Sequence, residues 1–301
     1  MIRFLRLYSL YITLLVFLSI AFGSCTKFEG DQTIPAYIQI DTVFMQTEYA
    51  DEGENSHEIT DVWIYIDDQQ IGVFELPAMF PVLAMGEHKL EIRAGIKVNG
   101  ISSTRAPYPM YKPIVYNTFD FFPDSIQVIN NLNFKYYETV VFPWIEDFEQ
   151  SSITIQETNQ SDTAIKRTLP VNNPEAYLSS TSRHSGQINV TTEKPQYSGW
   201  TYFSYDLPKQ EAPVLLELDF KTDTYVTVGL MVHYPGGYEA KPLIILNHSE
   251  EWNHIYINFT PTVNQYFNAI DFKVYFAASL ETGMTKSNIY LDNIKLIYRP
   301  N

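Results

Sequence analysis

The sequence predicts an all-β protein, and two observations carry that prediction. Aromatic residues are abundant, with 22 Tyr and 19 Phe among 301 residues, and such side chains fit the half-buried surface of a strand. Apolar and polar residues alternate with a period of two in several segments, whereas long Ala, Leu, Glu and Lys stretches of helical period are missing. Once an N-terminal segment is set aside, the remaining roughly 275 residues favour two domains.

Residues 1–24 have the layout of a secretory signal peptide. Arg3 and Arg6 precede an apolar run over residues 10–22, which is too short to cross a bilayer comfortably as a mature helix. A Gly-Ser pair then leads directly into Cys25. This order of a positive segment, an apolar segment and small residues predicts cleavage and export.

Cys25 is the only cysteine of the chain. The small pair and the cysteine resemble a bacterial lipobox, in which the cysteine is acylated and becomes the mature N-terminus. The resemblance implies lipidation of Cys25 and a lipidated tether over residues 25–35, so that the lipid holds the protein at a membrane. An ordinary signal peptide, or an uncleaved anchor with a chance cysteine, stays open as the alternative.

The first residues of the tether are charged. Lys27, Glu29 and Asp31 resemble the acidic export signal with which Bacteroidota send lipoproteins to the cell surface, although an acidic tether without that role would look the same. The resemblance implies an outer-membrane protein, lipid-anchored at the cell surface. The net charge is −15, and removal of Arg3 and Arg6 with the signal leaves −17, which argues against nucleic acid as a partner.

Residues 36–142 are predicted to form the first domain. Val62, Ile64 and Ile66 alternate with aromatic residues, and the polar turn Asp67-Asp68 leads into a returning strand. The stretches VWIYIDDQQIG and LPAMFPVLAMGEHKLEIRAG resemble the small Ig-like, PEGA-type modules of bacterial surface proteins, which implies an Ig-like β-sandwich. Strands expected within residues 116–142 either close this domain or lead into the next.

Residues 143–301 are predicted to form a jelly roll. Three pieces carry this resemblance to galactose-binding-like domains and carbohydrate-binding modules: DFE at 147–149, EWNHIYINF at 251–259 and YLDNIKLIY at 290–298. The predicted fold class is therefore all-β, an Ig-like β-sandwich followed by a jelly-roll β-sandwich.

The same resemblance implies a structural Ca²⁺ ion. In similar jelly rolls, an acid near the entry strand and the Asp of the last strand hold the ion, and the matching residues are Glu149 and Asp292. Gln150 stands where the family often has glycine, and Asp292 with Asn293 could instead only cap the turn into the last strand.

Four aromatic residues are candidates for binding a ligand or a partner. Trp200 and Tyr202 would share one face of a strand, and Tyr234 and Tyr238 flank a Gly-Gly turn that could project both rings. A glycan surface needs flat rings beside hydrogen-bonding groups, but core aromatics and a plain turn would give the same letters.

The expected function is that of a non-enzymatic outer-membrane lipoprotein. The sequence contains no recognisable nucleophile elbow, phosphate loop or dinucleotide motif, and no acid, base or nucleophile can be named for a hydrolase. The main expectation is an accessory or scaffold subunit of a β-barrel outer-membrane machine for barrel assembly, secretion or uptake, with a barrel protein and other lipoproteins as partners. The alternative is a surface lipoprotein that binds a glycan.

Overall fold

The computed structural model describes residues 34–169 and 176–300, and it confirms the all-β prediction. Strands dominate, and the helices of the described residues are the short α1 (Tyr49–Glu52) and α2 (Thr260–Gln265). No helix in these two ranges has the length and apolar character needed to cross a membrane. The predicted signal peptide, Cys25 and the tether up to residue 33 lie outside the described residues.

Among the residues that the structure describes, the N-terminal unit is built from ten strands in three small sheets. One sheet has the order β5-β1-β9, a second pairs β2 with β10, and the third has the order β4-β3-β6 with β7 and β8 both on β6. The strands are β1 (Ala36–Ile40), β2 (Val43–Met45), β3 (Asp61–Ile66), β4 (Gln69–Glu75), β5 (Ala78–Val82), β6 (Gly86–Lys97), β7 (Arg105–Pro107), β8 (Ile114–Phe121), β9 (Ile126–Val128) and β10 (Leu132–Phe134).

The predicted alternation in β3 is confirmed. Val62, Ile64 and Ile66 are buried in the core, and the strand pairs with β4 across a two-residue turn. Asp67 and Asp68 both have positive φ, 47° and 65°, which is the conformation of a type I′ hairpin turn. The turn therefore bends with the twist of the two strands that it joins.

In the described part of the C-terminal half, the sandwich consists of two antiparallel sheets. Sheet I has the order β13-β14-β21-β16-β19 with β11 also on β21, and sheet II has the order β12-β15-β20-β17-β18. The strands are β11 (Val141–Glu146), β12 (Ile155–Glu157), β13 (Lys166–Thr168), β14 (Ser185–Thr191), β15 (Gln196–Thr201), β16 (Val214–Thr222), β17 (Val226–Tyr234), β18 (Gly237–Leu246), β19 (Ser249–Asn258), β20 (Phe272–Ser279) and β21 (Lys286–Tyr298).

The core of this sandwich lies between the two sheets. Leu216 and Leu218 of sheet I and Val228, Leu230 and Phe276 of sheet II belong to one buried apolar cluster. Along each of these strands, residues of this cluster alternate with residues that point to the outer face of the sheet. The segment that the sequence left between two roles divides here, since β8 to β10 pair within the N-terminal unit and β11 pairs with β21.

The N-terminal unit packs on the outer face of sheet I through a buried polar network. The Tyr136 hydroxyl donates to Glu217 Oε2 at 2.6 Å, and the Tyr108 hydroxyl donates to Glu217 Oε1. Lys295 Nζ donates to the carbonyl oxygen of Glu54 at 2.5 Å. Glu217 and Lys295 are both fully buried, so the packing of the two units keeps these charges away from water. The opposite side of the sandwich is the outer face of sheet II.

Candidate ligand-binding face

The outer face of sheet II is defined by the residues that alternate with its core residues. On β20, Phe272 and Val274 point into the core and are fully buried, which turns Lys273 and Tyr275 outward. Trp200 of β15 is the register partner of Tyr275. The pleat of the sheet therefore places these three side chains on one surface.

Two aromatic rings lie side by side on this face. The centroids of Trp200 and Tyr238 are 5.4 Å apart with an interplanar angle of 50°, although the two residues come from β15 and β18. Tyr275, on β20, lies between those strands and is only 6% exposed. A Cβ atom at Gly229 would come within 2.8 Å of the Tyr275 ring, and glycine therefore allows that ring to lie close against β17.

Lys273 holds the ring pair in place. Its Nζ donates to the carbonyl oxygens of Thr201 at 3.1 Å and Tyr202 at 2.7 Å. The same atom lies 5.3 Å from the centroid of the Trp200 ring and 5.6 Å from that of Tyr238, within the range of a cation–π interaction. Burial lowers the pKa of Lys273, and the two carbonyls and two rings offset the loss of water around the ammonium group.

Hydrogen-bonding groups lie beside the rings. The His233 ring stacks on Tyr238 with centroids 4.3 Å apart and an angle of 13°, and His233 Nδ1 is 3.0 Å from Asp271 Oδ1. Burial, followed by the nearby Asp271 charge, raises the pKa of Tyr238. Its hydroxyl therefore stays protonated at neutral pH, where it both donates and accepts hydrogen bonds.

The structure separates the four aromatic residues that the sequence singled out. Trp200 and Tyr238 come together, whereas Tyr202 lies beyond the end of β15, 58% exposed and in edge contact with Phe203. The Tyr234 ring packs against the core of the sandwich, so it does not project outward with Tyr238 as expected. The reason is the facing of β17, where Tyr234 continues the row of inward residues.

Sequence reasoning missed Lys273, Tyr275, His233 and Asp271. A signal for the first two was present, because residues 272–279 read FKVYFAAS and alternate apolar residues with Lys and Tyr. His233 and Asp271 gave no such signal, since their contact joins positions 38 residues apart.

The two residues predicted to hold calcium lie at one loop. Glu149 Oε1 accepts hydrogen bonds from the backbone N–H groups of Arg183 and His184 at 2.6 and 2.7 Å. Asp292 Oδ2 accepts from the hydroxyl of Ser185 at 2.8 Å. Burial raises the pKa of Asp292 well above its ordinary value. Protein hydrogen-bond donors thus surround both side chains. A calcium ion between them would need further oxygen ligands instead of donors.

These residues do not fit a calcium ion. Ca²⁺ takes about six to eight oxygen ligands, but the Arg167 guanidinium donates to the carbonyl oxygens of Phe148 and Glu149, the latter at 2.8 Å. Within residues 34–169 and 176–300, no three His, Cys, Asp or Glu side chains group as a metal site. The Arg167 guanidinium supplies the positive charge at this turn.

Comparison with known proteins gives similarity in structure only. No family model and no curated protein matches this chain. One similar solved structure is the CBM22-2 xylan-binding domain of Xyn10C from Paenibacillus barcinonensis, at 12% identity and a TM-score of 0.35, covering 52% of this chain and 99% of that chain. Another is the family 11 carbohydrate-binding module of a cellulosomal cellulase of Clostridium thermocellum, at 12% identity and a TM-score of 0.34, covering 51% and 92%.

A third similar structure comes from an enzyme. The enzymatically active domain of tailspike protein 4 of bacteriophage CBA120 has 11% identity and a TM-score of 0.36, with 52% of this chain and 20% of that chain covered. Identities and TM-scores this low give no conclusion about activity or ligand.

Proposed function

We propose that the protein is a lipid-anchored surface protein that binds a glycan on the outer face of sheet II. The observation that carries this proposal is the pair of part-buried rings, Trp200 and Tyr238, held side by side by Lys273. Sugars place their C–H faces on aromatic rings and direct their hydroxyl groups to polar neighbours. The Tyr238 hydroxyl and the His233–Asp271 pair are such neighbours.

The glycan that fits this face is neutral. Lys273 is only 8% exposed and donates to two backbone carbonyls, so its ammonium group offers little to a sugar carboxylate. The net charge of the chain is −15, which repels anionic polysaccharides at low ionic strength.

The test is a glycan array followed by a substitution on the ring pair. Trp200→Ala should weaken binding by at least about tenfold, because an aromatic anchor at the centre of a binding surface commonly contributes more than 1 kcal/mol. Tyr202→Ala is the matched control, since Tyr202 is exposed but lies off the strand, and it should bind like the unchanged protein. Binding to no polysaccharide, or equal binding by the Trp200 variant, would refute the proposal.

The anchor itself has a direct test. The protein should incorporate radiolabelled fatty acid at Cys25. The acyl chains should keep it in the membrane fraction, because they partition into the bilayer. Cys25→Ser should release the protein into the soluble fraction, with Ser24→Ala as a control that keeps the cysteine. Retention of the Cys25 variant in the membrane fraction would contradict lipid anchoring.

A second candidate function is the scaffold subunit of a β-barrel outer-membrane machine. Its support, besides the proposed anchor, is the outer face of the sheet β5-β1-β9, where Met79 is 60% and Val128 is 48% exposed. Apolar side chains on an exposed sheet face are suited to contact with another protein. Co-purification from gently solubilised outer membranes is the test, and recovery of the protein alone would count against this role.

A further inference from the structure

One end of the N-terminal unit collects exposed apolar side chains. Leu83, Met85 and Phe122 are 74%, 68% and 53% exposed, and Ile34 and Ile126 are exposed to a similar degree. Single exposed apolar residues are ordinary, but a group of five at one place marks an interaction surface. We call this group the apolar tip.

Strand pairing brings the apolar tip together. Several strand ends meet here: the N-terminal end of β1, the C-terminal end of β5 and the start of β9. The connections from β5 to β6 and from β8 to β9 lie at the same end. The register pairs that place them there are Ala36 with Val82, Tyr37 with Ile126, and Gly86 with Phe121. In addition, the backbone N–H of Asp124 donates to the carbonyl oxygen of Pro35 at 3.0 Å.

The turns that carry these side chains are held by hydrogen bonds. The Ser125 hydroxyl donates to the carbonyl oxygen of Phe122 at 2.6 Å, and the Gln127 amide donates to that of Asp120 at 2.8 Å. At the other turn, the His88 ring lies 3.2 Å from the carbonyl oxygen of Met85. The Phe122 ring and the Met85 side chain are therefore exposed to solvent on turns that hydrogen bonds hold in place.

The apolar tip is also where the chain enters from its proposed anchor. Ile34 follows Cys25 by nine residues, and nine fully extended residues span at most about 30 Å. The tether therefore keeps this end of the N-terminal unit within about 30 Å of the acylated sulfur of Cys25, and so close to the bilayer that holds the acyl chains.

We propose that the apolar tip docks on the surface of a lipid bilayer, with Leu83, Met85 and Phe122 entering the interfacial region. This inference rests on the lipid anchor of the proposed function. The favoured surface is zwitterionic, because the exposed carboxylates of Asp67 and Asp124 lie at the same end and disfavour anionic head groups. Apolar side chains in the interface add to the partitioning of the acyl chains and fix the orientation of the body.

The test uses the full lipidated chain in phosphatidylcholine vesicles. Cys25 is the only cysteine, and acylation consumes its thiol, so one added cysteine takes a spin label at a single position. Met85→Cys and Phe122→Cys report on the apolar tip. Met79→Cys and Ile245→Cys are the matched controls, because both native side chains are 60% exposed and lie outside the tip.

Electron paramagnetic resonance then compares collisions of the label with oxygen and with a water-soluble nickel complex. The reference is the Cys25→Ser chain with the same label, free in solution without detergent. Relative to this reference, the tip labels on vesicles should collide more often with oxygen and less often with nickel, whereas the control labels should not change. Tip labels that stay as accessible to nickel as the controls would overturn the docking. A chain that does not remain on the vesicles would overturn the docking together with the anchor.

Glycan binding is measured on the Met85→Cys and Phe122→Cys samples, because Ile245 lies on the outer face of sheet II, where it pairs with Thr227. Binding that persists while the tip labels stay in water removes the docking and keeps glycan recognition. Labels that enter the interface in a chain that binds no glycan keep the docking and remove glycan recognition.

Discussion

Lys273 shows how one buried cation can organise a surface. Its two backbone acceptors fix the end of β15, and its distance to the Trp200 and Tyr238 centroids places both rings around one ammonium group. Lys273 is therefore a positioning residue for the proposed glycan face. Its hydrocarbon stem also fills space that a shorter side chain would leave empty.

His57 gives a prediction about pH. Burial, followed by the nearby His254, lowers the pKa of His57 to about 4, whereas an exposed histidine titrates near 6.5. Between these values the unfolded chain binds a proton that the folded chain does not bind. The contribution of His57 to the free energy of unfolding is therefore fully present above pH 6.5. It falls by up to about 3 kcal/mol as the pH decreases toward 4.

Urea denaturation at pH 7 and pH 4.5 measures this loss. His57→Gln should remove most of the difference between the two pH values, because glutamine does not titrate. His248→Gln is the control, since the His248 side chain is 48% exposed and has no comparable burial. An unchanged pH dependence in the His57 variant would show that other groups cause it.

At the scale of elements, the loop that precedes β14 is held from two sides. Glu149 binds the backbone N–H groups of Arg183 and His184, while Asp292 of β21 binds Ser182 and Ser185. These hydrogen bonds join the entry of the sandwich to its last strand. The loop thus depends on protein donors, which makes its stability independent of added metal.

Removal of calcium should leave this loop intact. Thermal unfolding in EDTA and in millimolar calcium should give the same Tm, because hydrogen-bond donors occupy the carboxylate and carbonyl oxygens. Arg167→Met should lower stability by about 2 kcal/mol, since it leaves two carbonyl oxygens without their charged donor. Lys166→Met, on the exposed neighbour, is the control, and a Tm that rises with calcium would contradict the prediction.

Period-two alternation predicted the strands well, but it did not predict their partners. Val62, Ile64 and Ile66 were placed on the buried face of β3 by local pattern alone. The segment 116–142 could not be assigned in the same way, because β9 and β10 are three-residue strands that pair in parallel with the distant β1 and β2. Such short strands carry too few alternations to define a face.

The candidate site was predictable to the same extent. Trp200 stands out as an aromatic residue of a strand and Tyr238 as an aromatic residue beside a turn, and the structure brings the two together. Tyr234 has the same local appearance, but its register in β17 turns it into the core. Glu217 reads as a solvated residue on an alternating strand, and only the packing of the N-terminal unit buries it.

At the scale of the whole molecule, the two units are joined by a network that excludes water. Tyr108 and Tyr136 bind the Glu217 carboxylate, and Lys295 lies within 3.4 Å of the Tyr136 hydroxyl. Burial lowers the pKa of Lys295, and the Glu217 charge opposes this shift. A buried charge that loses its partner destabilises the folded state, because it is removed from water without compensation. The network therefore makes the unfolding of one unit depend on the other.

Glu217→Ala tests this dependence. The substitution should lower stability by about 3–5 kcal/mol, because two tyrosine hydroxyls lose their acceptor and the buried Lys295 loses a nearby negative charge. Tyr136→Phe is the milder comparison, with an expected loss of about 1 kcal/mol for one hydrogen bond. Calorimetry measures the stability of both variants. A Glu217 variant that is as stable as the Tyr136 variant would argue against the network.

The covered face of sheet I has a practical consequence for anyone who wishes to divide this protein. Leu215, Tyr256 and Ile297 of the C-terminal half belong to the apolar cluster of the N-terminal half. A recombinant fragment that begins near residue 139 would leave these side chains bare, together with Glu217. Such a fragment would tend to self-associate in the test tube, so a sugar-binding assay is best made on the undivided chain.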